Sequence, residues 1–194
     1  MKHILSRKIF ENQSELNKQS PLLDLSDNVD YELIELIESL IPNGGKILEI
    51  SCGNGADSLE LSKRGYDVSA TENNQQYADF VGQNINCIKH DTRNKFPFTD
   101  SSFDLVYSRL GLHYFSEPEL ESIFGEISRI TKEYLVFTVK LVNDIQTGKT
   151  IFNKETWEYL VSNEFEIVSS EVKEGILYDN QSKWLEIVAK KWNI

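Results

Sequence analysis

Basic residues are scarce in this chain of 194 amino acids. There are 20 Lys and Arg against 31 Asp and Glu, which gives a formal net charge of −11 at pH 7. Nucleic-acid backbones and anionic membrane surfaces are bound largely through Lys and Arg. The charge balance therefore disfavours both as partners, and it favours a neutral or cationic small molecule as substrate.

Cysteines and long apolar segments are also few. Cys52 and Cys87 are the two cysteines, and no CxxC spacing occurs. We therefore expect both cysteines to act as small apolar residues of a protein in a reducing compartment, and we expect no disulfide framework. No stretch approaches the roughly 20 apolar residues of a membrane span, and residues 1–10 contain no apolar run of signal length. These absences predict a soluble, cytoplasmic protein.

Histidine is limited to three residues, His3, His90 and His113. His90 is next to Asp91, but a metal site needs several ligands at workable spacing. We therefore expect no metal.

The length of the chain fits one domain with a substantial core. Residues 28–194 show alternating strand and helix patterns, which predict a wound α/β sheet covered on both faces. Residues 1–27 are polar with scattered apolar positions, and they are predicted to be an N-terminal arm that is either a lid over the site or a frayed tail. Both alternatives remain open.

The predicted sheet has seven strands, mostly parallel, and the last strand is antiparallel because no helix separates the final two. The first helix is expected to be capped by Ser26 or Asn28, and Thr131–Glu133 is expected to be the turn before strand five. The predicted strands cover 46–50, 67–71, 85–89, 103–107, 134–139, 165–172 and 184–189.

The first strand leads into the most informative stretch of the sequence. Lys46–Ile50 is followed by a glycine-bearing turn that includes Gly53 and Gly55, and then by a helix-forming segment. About 20 residues later a second strand ends in a lone acid, Glu72. A glycine-rich turn followed at this distance by an acid is the nucleoside-binding arrangement of a wound α/β sheet.

Two classes of ligand use such a turn. A dinucleotide site has the pattern G-x-G-x-x-G/A, which this chain fits only in part, with Ser51 in place of the first glycine. The second interpretation places Glu49 in the strand just before the turn and Asp57 on the first helical turn. Two carboxylates suit a cationic ligand better than a pyrophosphate, because like charges repel.

The pattern as a whole resembles the class I S-adenosylmethionine-dependent methyltransferases, from about Tyr31 to Lys190. Within that family it is most similar to small single-domain members of the tellurite and thiopurine type. The motifs that carry the resemblance are Glu49–Gly55, Glu72, His90-Asp91-Thr92, Asp100–Val106, Ser108–Tyr114 and Trp184–Lys190.

The resemblance implies a Rossmann-like fold, S-adenosylmethionine as cofactor and methyl transfer to a small-molecule acceptor. It assigns the ribose to Glu72 and the adenine amino group to Asp91. The predicted cofactor-binding residues are Glu49, Ser51, Cys52, Gly53, Asn54, Gly55, Asp57, Glu72, Asn73, Asp91, Thr92, Ser108, Arg109 and Leu110.

Methyl transfer from a sulfonium needs no protonation of the leaving group, so positioning can supply most of the acceleration. A general base is required only if the acceptor must lose a proton. His113 is the candidate base, because it follows strand four at the expected mouth of the cleft; packing against the cofactor is its alternative role. The rival functions are a nicotinamide-dependent oxidoreductase and a non-catalytic cofactor-binding protein.

Overall fold

The computed structural model of the chain describes residues 28–141, 152–175 and 182–192. The predicted arm at residues 1–27, the polar loop at 143–150 and the loop residues Asp179-Asn180 lie outside the described residues.

Helices and strands alternate over most of the described chain. The helices are α1 (Tyr31–Leu40), α2 (Ala56–Lys63), α3 (Gln75–Val81), α4 (Glu117–Ile130) and α5 (Lys154–Ser162), with a short 3-10 helix at Leu112–Tyr114. The strands are β1 (Lys46–Ile50), β2 (Asp67–Glu72), β3 (Asn86–Lys89), β4 (Phe103–Arg109), β5 (Thr131–Leu141), β6 (Phe165–Gly175) and β7 (Ser182–Lys191).

Seven strands of the described residues form one sheet in the order β3-β2-β1-β4-β5-β7-β6. All neighbouring pairs are parallel except those of β7, which runs antiparallel to both β5 and β6. The predicted fold class is confirmed. The strand order reverses between β1 and β4, and ligands of wound α/β sheets bind at the carboxyl ends of strands beside such a reversal.

Helix α1 covers one face of the sheet. Leu33, Ile34 and Ile37 recur at helical spacing and are buried against apolar side chains of β1, β4, β5 and β7. The N-cap is Asp30, whose side chain accepts a hydrogen bond from the N–H of Leu33 at 3.1 Å. The expectation of Ser26 or Asn28 as the cap was therefore wrong: Asp30 is the carboxylate that reaches a free helical N–H.

Helices α4 and α5 cover the opposite face. Helix α4 begins with a capping box formed by Ser116 and Glu119, as the sequence predicts. Its apolar side and the buried Trp157 of α5 belong to the larger of the clusters in the core. With α1 on the other side, the sheet is covered on both faces and can position groups at its carboxyl edge.

Strand β5 begins where α4 ends. Thr131–Glu133, expected to be a turn, lie inside the strand. Thr131 ends the helix itself, because its Oγ1 donates a hydrogen bond to the carbonyl of Ile127 at 2.7 Å and its backbone is extended. Helix and strand are therefore joined directly at Thr131, without a glycine turn.

In the ranges that the structure describes, no helix combines the length and the apolar character needed to cross a membrane.

Candidate active site

The turn between β1 and α2 has a left-handed backbone at alternate residues. The φ angles are 60° at Ser51, 55° at Gly53 and 72° at Gly55. A β-carbon on Gly55 would stand 2.6 Å from Val81 Cγ2, so this position has no room for a side chain. A β-carbon on Gly53 would meet nothing within 4 Å. The turn therefore packs tightly on one side and leaves backbone open to a ligand at Gly53.

The carboxylate of Glu72 lies beside this turn. Its Oε2 accepts a hydrogen bond from the N–H of Gly53 at 2.9 Å, and its Oε1 accepts one from the N–H of Asn74 at 2.8 Å. The structure thus brings together the turn and the acid that the sequence pairs. Glu72 fixes the shape of the turn, and the role assigned to it on a ribose stays a prediction. The neighbouring Asn73 is exposed.

Glu49 is buried behind the turn, only 3% exposed. It accepts hydrogen bonds from the hydroxyl of Tyr107 at 2.8 Å and from that of Ser58. Loss of solvent raises its pKa from the ordinary 4.5 to about 8, and the nearby Asp57 adds to the effect. Glu49 is therefore held by two hydroxyls, in a position where a nearby positive charge would favour its ionised form.

Asp57, on the first turn of α2, is paired with Arg109 at the end of β4. Its Oδ2 lies 2.6 Å from Arg109 Nε, and its Oδ1 accepts a hydrogen bond from the N–H of Asp30 at 2.8 Å. Burial raises the pKa of Asp57 to about 6, although Arg109 opposes the rise. Arg109 also donates to the carbonyl of Asn28 at 2.7 Å. This pair ties α2 and β4 to the segment that precedes α1.

The end of β4 lies directly against the turn. Ser108 is buried, and its Oγ donates to the carbonyl of Ile50 at 3.0 Å. Leu110 has a left-handed φ of 61°, which redirects the chain into the 3-10 helix. A β-carbon on the next residue, Gly111, would stand 2.8 Å from Ser51 Cβ. The predicted residues of β4 thus border the turn, as expected from adjacent parallel strands.

At the end of β3, Asp91 faces a partner that the sequence did not predict. Its carboxylate is held by Arg93, with Oδ2 and Nη2 2.6 Å apart, and hydrogen bonds from this arginine lower the pKa of Asp91 to about 2. The adjacent Thr92 is buried, and its Oγ1 lies 3.3 Å from Ser51 Oγ. Thr92 therefore supports the turn, while the adenine role of Asp91 stays a prediction.

The remaining predicted residues occupy the turn or the 3-10 helix. Asn54 accepts from the N–H of Ala56 at 3.3 Å, and Cys52 is buried. His113, expected at the mouth of the cleft, is 2% exposed, and its ring packs on that of Tyr114 with centroids 4.6 Å apart. The role of His113 as a base stays a prediction.

A cavity of about 300 Å³ opens beside Arg109, at the edge of the turn region. Sequence reasoning missed most of this lining, because it combines the start of α1 with residues of β5, β6 and β7 that lie far apart in the chain. The lining residues are Val29, Asp30, Tyr31, Glu32, Arg109, Leu110, Thr138, Lys173, Glu174, Trp184 and Glu186.

The charges around this cavity are mainly negative. Lys173 is paired with Glu186 at 2.8 Å and approaches Glu32 at 3.7 Å, and Arg109 is paired with Asp57. The two lining cations are therefore neutralised within the protein. Within the described ranges, no group of three or more His, Cys, Asp or Glu is placed to hold a metal ion.

Comparison with known proteins relates part of the chain to methyltransferases. Residues 47–134, which include the turn, Glu72, Asp91 and Arg109, match the family model described as a methyltransferase domain. The matched segment is under half of the chain, and it is similar to methyltransferase domains. The match agrees with the predicted S-adenosylmethionine cofactor. The roles of individual site residues remain predictions.

Two curated relatives are distant in sequence. The chain is 27% identical over 104 residues to a magnesium-protoporphyrin O-methyltransferase of Rhodobacter capsulatus, covering 50% of this chain and 45% of the relative. It is 25% identical over 175 residues to the sterol 4-C-methyltransferase strm-1 of Caenorhabditis elegans, covering 84% of this chain and 47% of the relative. The chain thus spans about half the length of these relatives.

Solved structures share the fold. The protein PH0226 of Pyrococcus horikoshii superposes with a TM-score of 0.68 at 20% identity, covering 92% of this chain and 99% of that one. TehB of Haemophilus influenzae superposes with a TM-score of 0.68 at 20% identity, covering 82% and 61%. At these identities the likeness establishes the fold, and it agrees with the predicted Rossmann-like sheet.

Proposed function

We propose that this protein is a cytoplasmic enzyme that transfers a methyl group from S-adenosylmethionine to a small-molecule acceptor. The observation that carries the proposal is the β1–α2 turn. Its backbone is left-handed at Ser51, Gly53 and Gly55, it is open above Gly53, and the Glu72 carboxylate is bound at its side. A backbone surface of this kind, next to an acid, accepts a nucleoside with free ribose hydroxyls.

The buried acids suit the charge of the donor. Glu49 and Asp57 lie under and beside the turn, and burial raises the pKa of both. A sulfonium brings a positive charge into this region, which stabilises their ionised forms. The neutral thioether that remains after methyl transfer stabilises them less. The acids therefore favour the donor over the product and assist product release.

The cavity beside Arg109 is the proposed acceptor site. Its lining includes Arg109 and Leu110, two of the predicted cofactor-binding residues, which supports a position for the acceptor next to the cofactor. Asp30, Glu32 and Glu174 in its lining, and the net charge of −11, favour a neutral or positively charged acceptor over an anionic one. The relatives named for magnesium protoporphyrin and for a sterol act, by those names, on small molecules.

Methyl transfer requires few reactive side chains. The acceptor's lone pair forms the bond to the methyl carbon as the carbon–sulfur bond breaks, and the electron pair stays on sulfur. The residues of the cavity and the turn hold the two partners in line and exclude water. His113 is proposed as a base only for acceptors that lose a proton on attack.

A thermal-shift comparison separates the proposal from its first rival. S-adenosylhomocysteine should raise the unfolding midpoint of the protein, whereas NAD should leave it unchanged, because only a ligand that binds the native state stabilises it. Stabilisation by NAD alone would support the oxidoreductase interpretation and overturn the proposal.

Transfer of an isotopically labelled methyl group tests turnover and acceptor class together. The protein is incubated with labelled S-adenosylmethionine and a cell extract that has been divided into small-molecule and macromolecular fractions. Label in a product of the small-molecule fraction supports the proposal. Label confined to macromolecules contradicts the acceptor class, and ligand binding without any transfer favours the non-catalytic alternative.

A further inference from the structure

The two cysteines of the chain are in contact. Cys52 Sγ lies 4.0 Å from Cys87 Sγ, although 35 positions separate the residues in sequence, and both thiols are free. They share a small apolar cluster with Ala70 and Val81, under helix α3. Two thiols at this distance form a disulfide only after their sulfurs approach by about 2 Å.

Cys52 is also part of the turn that faces the cofactor site. It lies between Ser51 and Gly53, both of which have a left-handed backbone, and its N–H donates to the carbonyl of Thr71 at 3.0 Å. The next residue, Gly53, donates its N–H to Glu72. A displacement of Cys52 therefore acts directly on the backbone of the turn.

Cys87 occupies a different setting. It lies on β3, the edge strand of the sheet, and its side chain is half-buried, whereas Cys52 is 8% exposed. An oxidant in solution thus reaches Cys87 more easily than Cys52. The pair consists of one accessible thiol and one protected thiol, which is the arrangement in which the first reacts and the second resolves the product.

We propose that Cys52 and Cys87 form a reversible redox-modification site, at which a disulfide distorts the β1–α2 turn and lowers its affinity for S-adenosyl ligands. The proposed effect on affinity rests on the function proposed above. The formation of the disulfide does not.

The oxidant in this proposal is a hydroperoxide. The Cys87 thiolate attacks the terminal peroxide oxygen, the O–O bond breaks, and an alcohol leaves, so that Cys87 becomes a sulfenic acid. The Cys52 sulfur then attacks the Cys87 sulfur, the S–O bond breaks, and water leaves as the disulfide forms. Two thiols are oxidised and one peroxide is reduced. A hydrogen bond from Cys52 lowers the pKa of Cys87, which favours its thiolate as the first nucleophile.

The bond requires the turn to move. A disulfide joins its sulfurs at about 2.05 Å, whereas these lie 4.0 Å apart. Because β2 and β3 are fixed by their ladder, the shorter distance draws Cys52 towards Cys87 and disturbs the Gly53–Glu72 hydrogen bond. Loss of one hydrogen bond to a charged group corresponds to about a tenfold fall in affinity.

The experiment treats the full chain with a stoichiometric hydroperoxide. Intact-mass spectrometry then measures the loss of two hydrogens, and calorimetry measures binding of S-adenosylhomocysteine before oxidation, after it, and after dithiothreitol. Cys87→Ala is the matched control, since it removes the partner and leaves the turn sequence unchanged. We expect the wild type to lose two hydrogens and about tenfold in affinity, with recovery on reduction, and we expect the variant to keep its affinity throughout.

The two parts of the proposal fail separately. Addition of oxygen without loss of two hydrogens would overturn the disulfide. A disulfide that leaves the affinity unchanged would overturn its effect on the turn. If the reduced wild type does not bind the ligand, the proposed function fails, whereas the mass measurement still decides whether the disulfide forms.

Discussion

Gly111 lies against Ser51, so that a β-carbon on Gly111 would stand 2.8 Å from Ser51 Cβ and 2.7 Å from Ser108 Oγ. The contact joins the end of β4 to the β1–α2 turn. Ser51 occupies the place of the first motif glycine and keeps a glycine-like φ of 60°. The serine therefore keeps the backbone conformation of the turn at some cost in strain. Its side chain fits only because residue 111 is a glycine, which has no β-carbon.

The strain at Ser51 predicts an unusual order of stability between two variants. Ser51→Gly should have a free energy of unfolding about 1 kcal/mol greater than Ser51→Ala, because glycine adopts a positive φ without the penalty of a β-carbon. Both variants lose the contact of Ser51 Oγ with Thr92, so this loss cancels in the comparison. Chemical denaturation of the two variants measures the difference. The opposite order would show that position 51 is unstrained.

The contact between Ser51 and Gly111 predicts coupling between the two positions. Gly111→Ala should destabilise the wild type by about 1–3 kcal/mol through overpacking, and less in a Ser51→Gly background, where the clashing Cβ is absent. The remaining loss reflects the clash with Ser108 Oγ. A double-mutant cycle in denaturant gives the coupling energy. Additive effects would mean that the structure around position 51 and the structure around position 111 relax independently.

Glu49 predicts a pH-dependent stability. Its folded-state pKa of about 8 lies above the ordinary 4.5, so between these values the folded state holds a proton that the unfolded state has lost. The free energy of unfolding therefore falls as pH rises through this window. Glu49→Gln keeps the acceptor for Tyr107 but removes the titration. Its stability relative to the wild type should increase from pH 4.5 to pH 8, as followed by denaturant unfolding.

The control for Glu49 is Asp67→Asn, at the exposed amino end of β2. This variant should keep the pH dependence of the wild type. A Glu49→Gln profile that runs parallel to the wild type over the whole range would mean that Glu49 is ionised in the folded protein.

The pair of Asp57 and Arg109 predicts a large loss when one partner is removed. Arg109→Met leaves a carboxylate that is fully buried, and breaking such a pair costs about 3–5 kcal/mol. The loss should be smaller at pH 5 than at pH 8, because the raised pKa of Asp57 allows it to be protonated at the lower pH. Arg64→Met, which breaks surface pairs with Glu38 and Glu60, should cost much less. Equal losses at both pH values would contradict the assigned protonation of Asp57.

Local patterns in the sequence were sufficient for much of the fold. The bounds of β1 match the prediction, since a short apolar run ends at a glycine turn, and the capping box of Ser116 and Glu119 starts α4 as expected. The junction at Thr131 was not predictable from the usual turn residues, because one hydroxyl bonded to Ile127 ends the helix.

The site was predictable where it depends on neighbouring parallel strands and not where it depends on individual side-chain pairs or distant strands. The turn and Glu72 come together because parallel neighbouring strands end at the same edge. Two ion pairs, Arg109 with Asp57 and Arg93 with Asp91, depend on the conformations of individual side chains. The cavity lining at Trp184 depends on strands that are distant in sequence. Neither spacing nor periodicity contains that information.

The central claim is that the turn and Glu72 bind the S-adenosyl group, and calorimetric titration with S-adenosylhomocysteine tests it most directly. Asp67→Ala, at the other end of the same strand, is the control for Glu72→Ala. The wild type and Asp67→Ala should bind with similar affinity, and Glu72→Ala at least tenfold more weakly, because a charged hydrogen-bond acceptor is lost from the turn and from the ribose. Equal affinity in all three proteins would remove Glu72 from the site, and a wild type that does not bind would contradict the account as a whole.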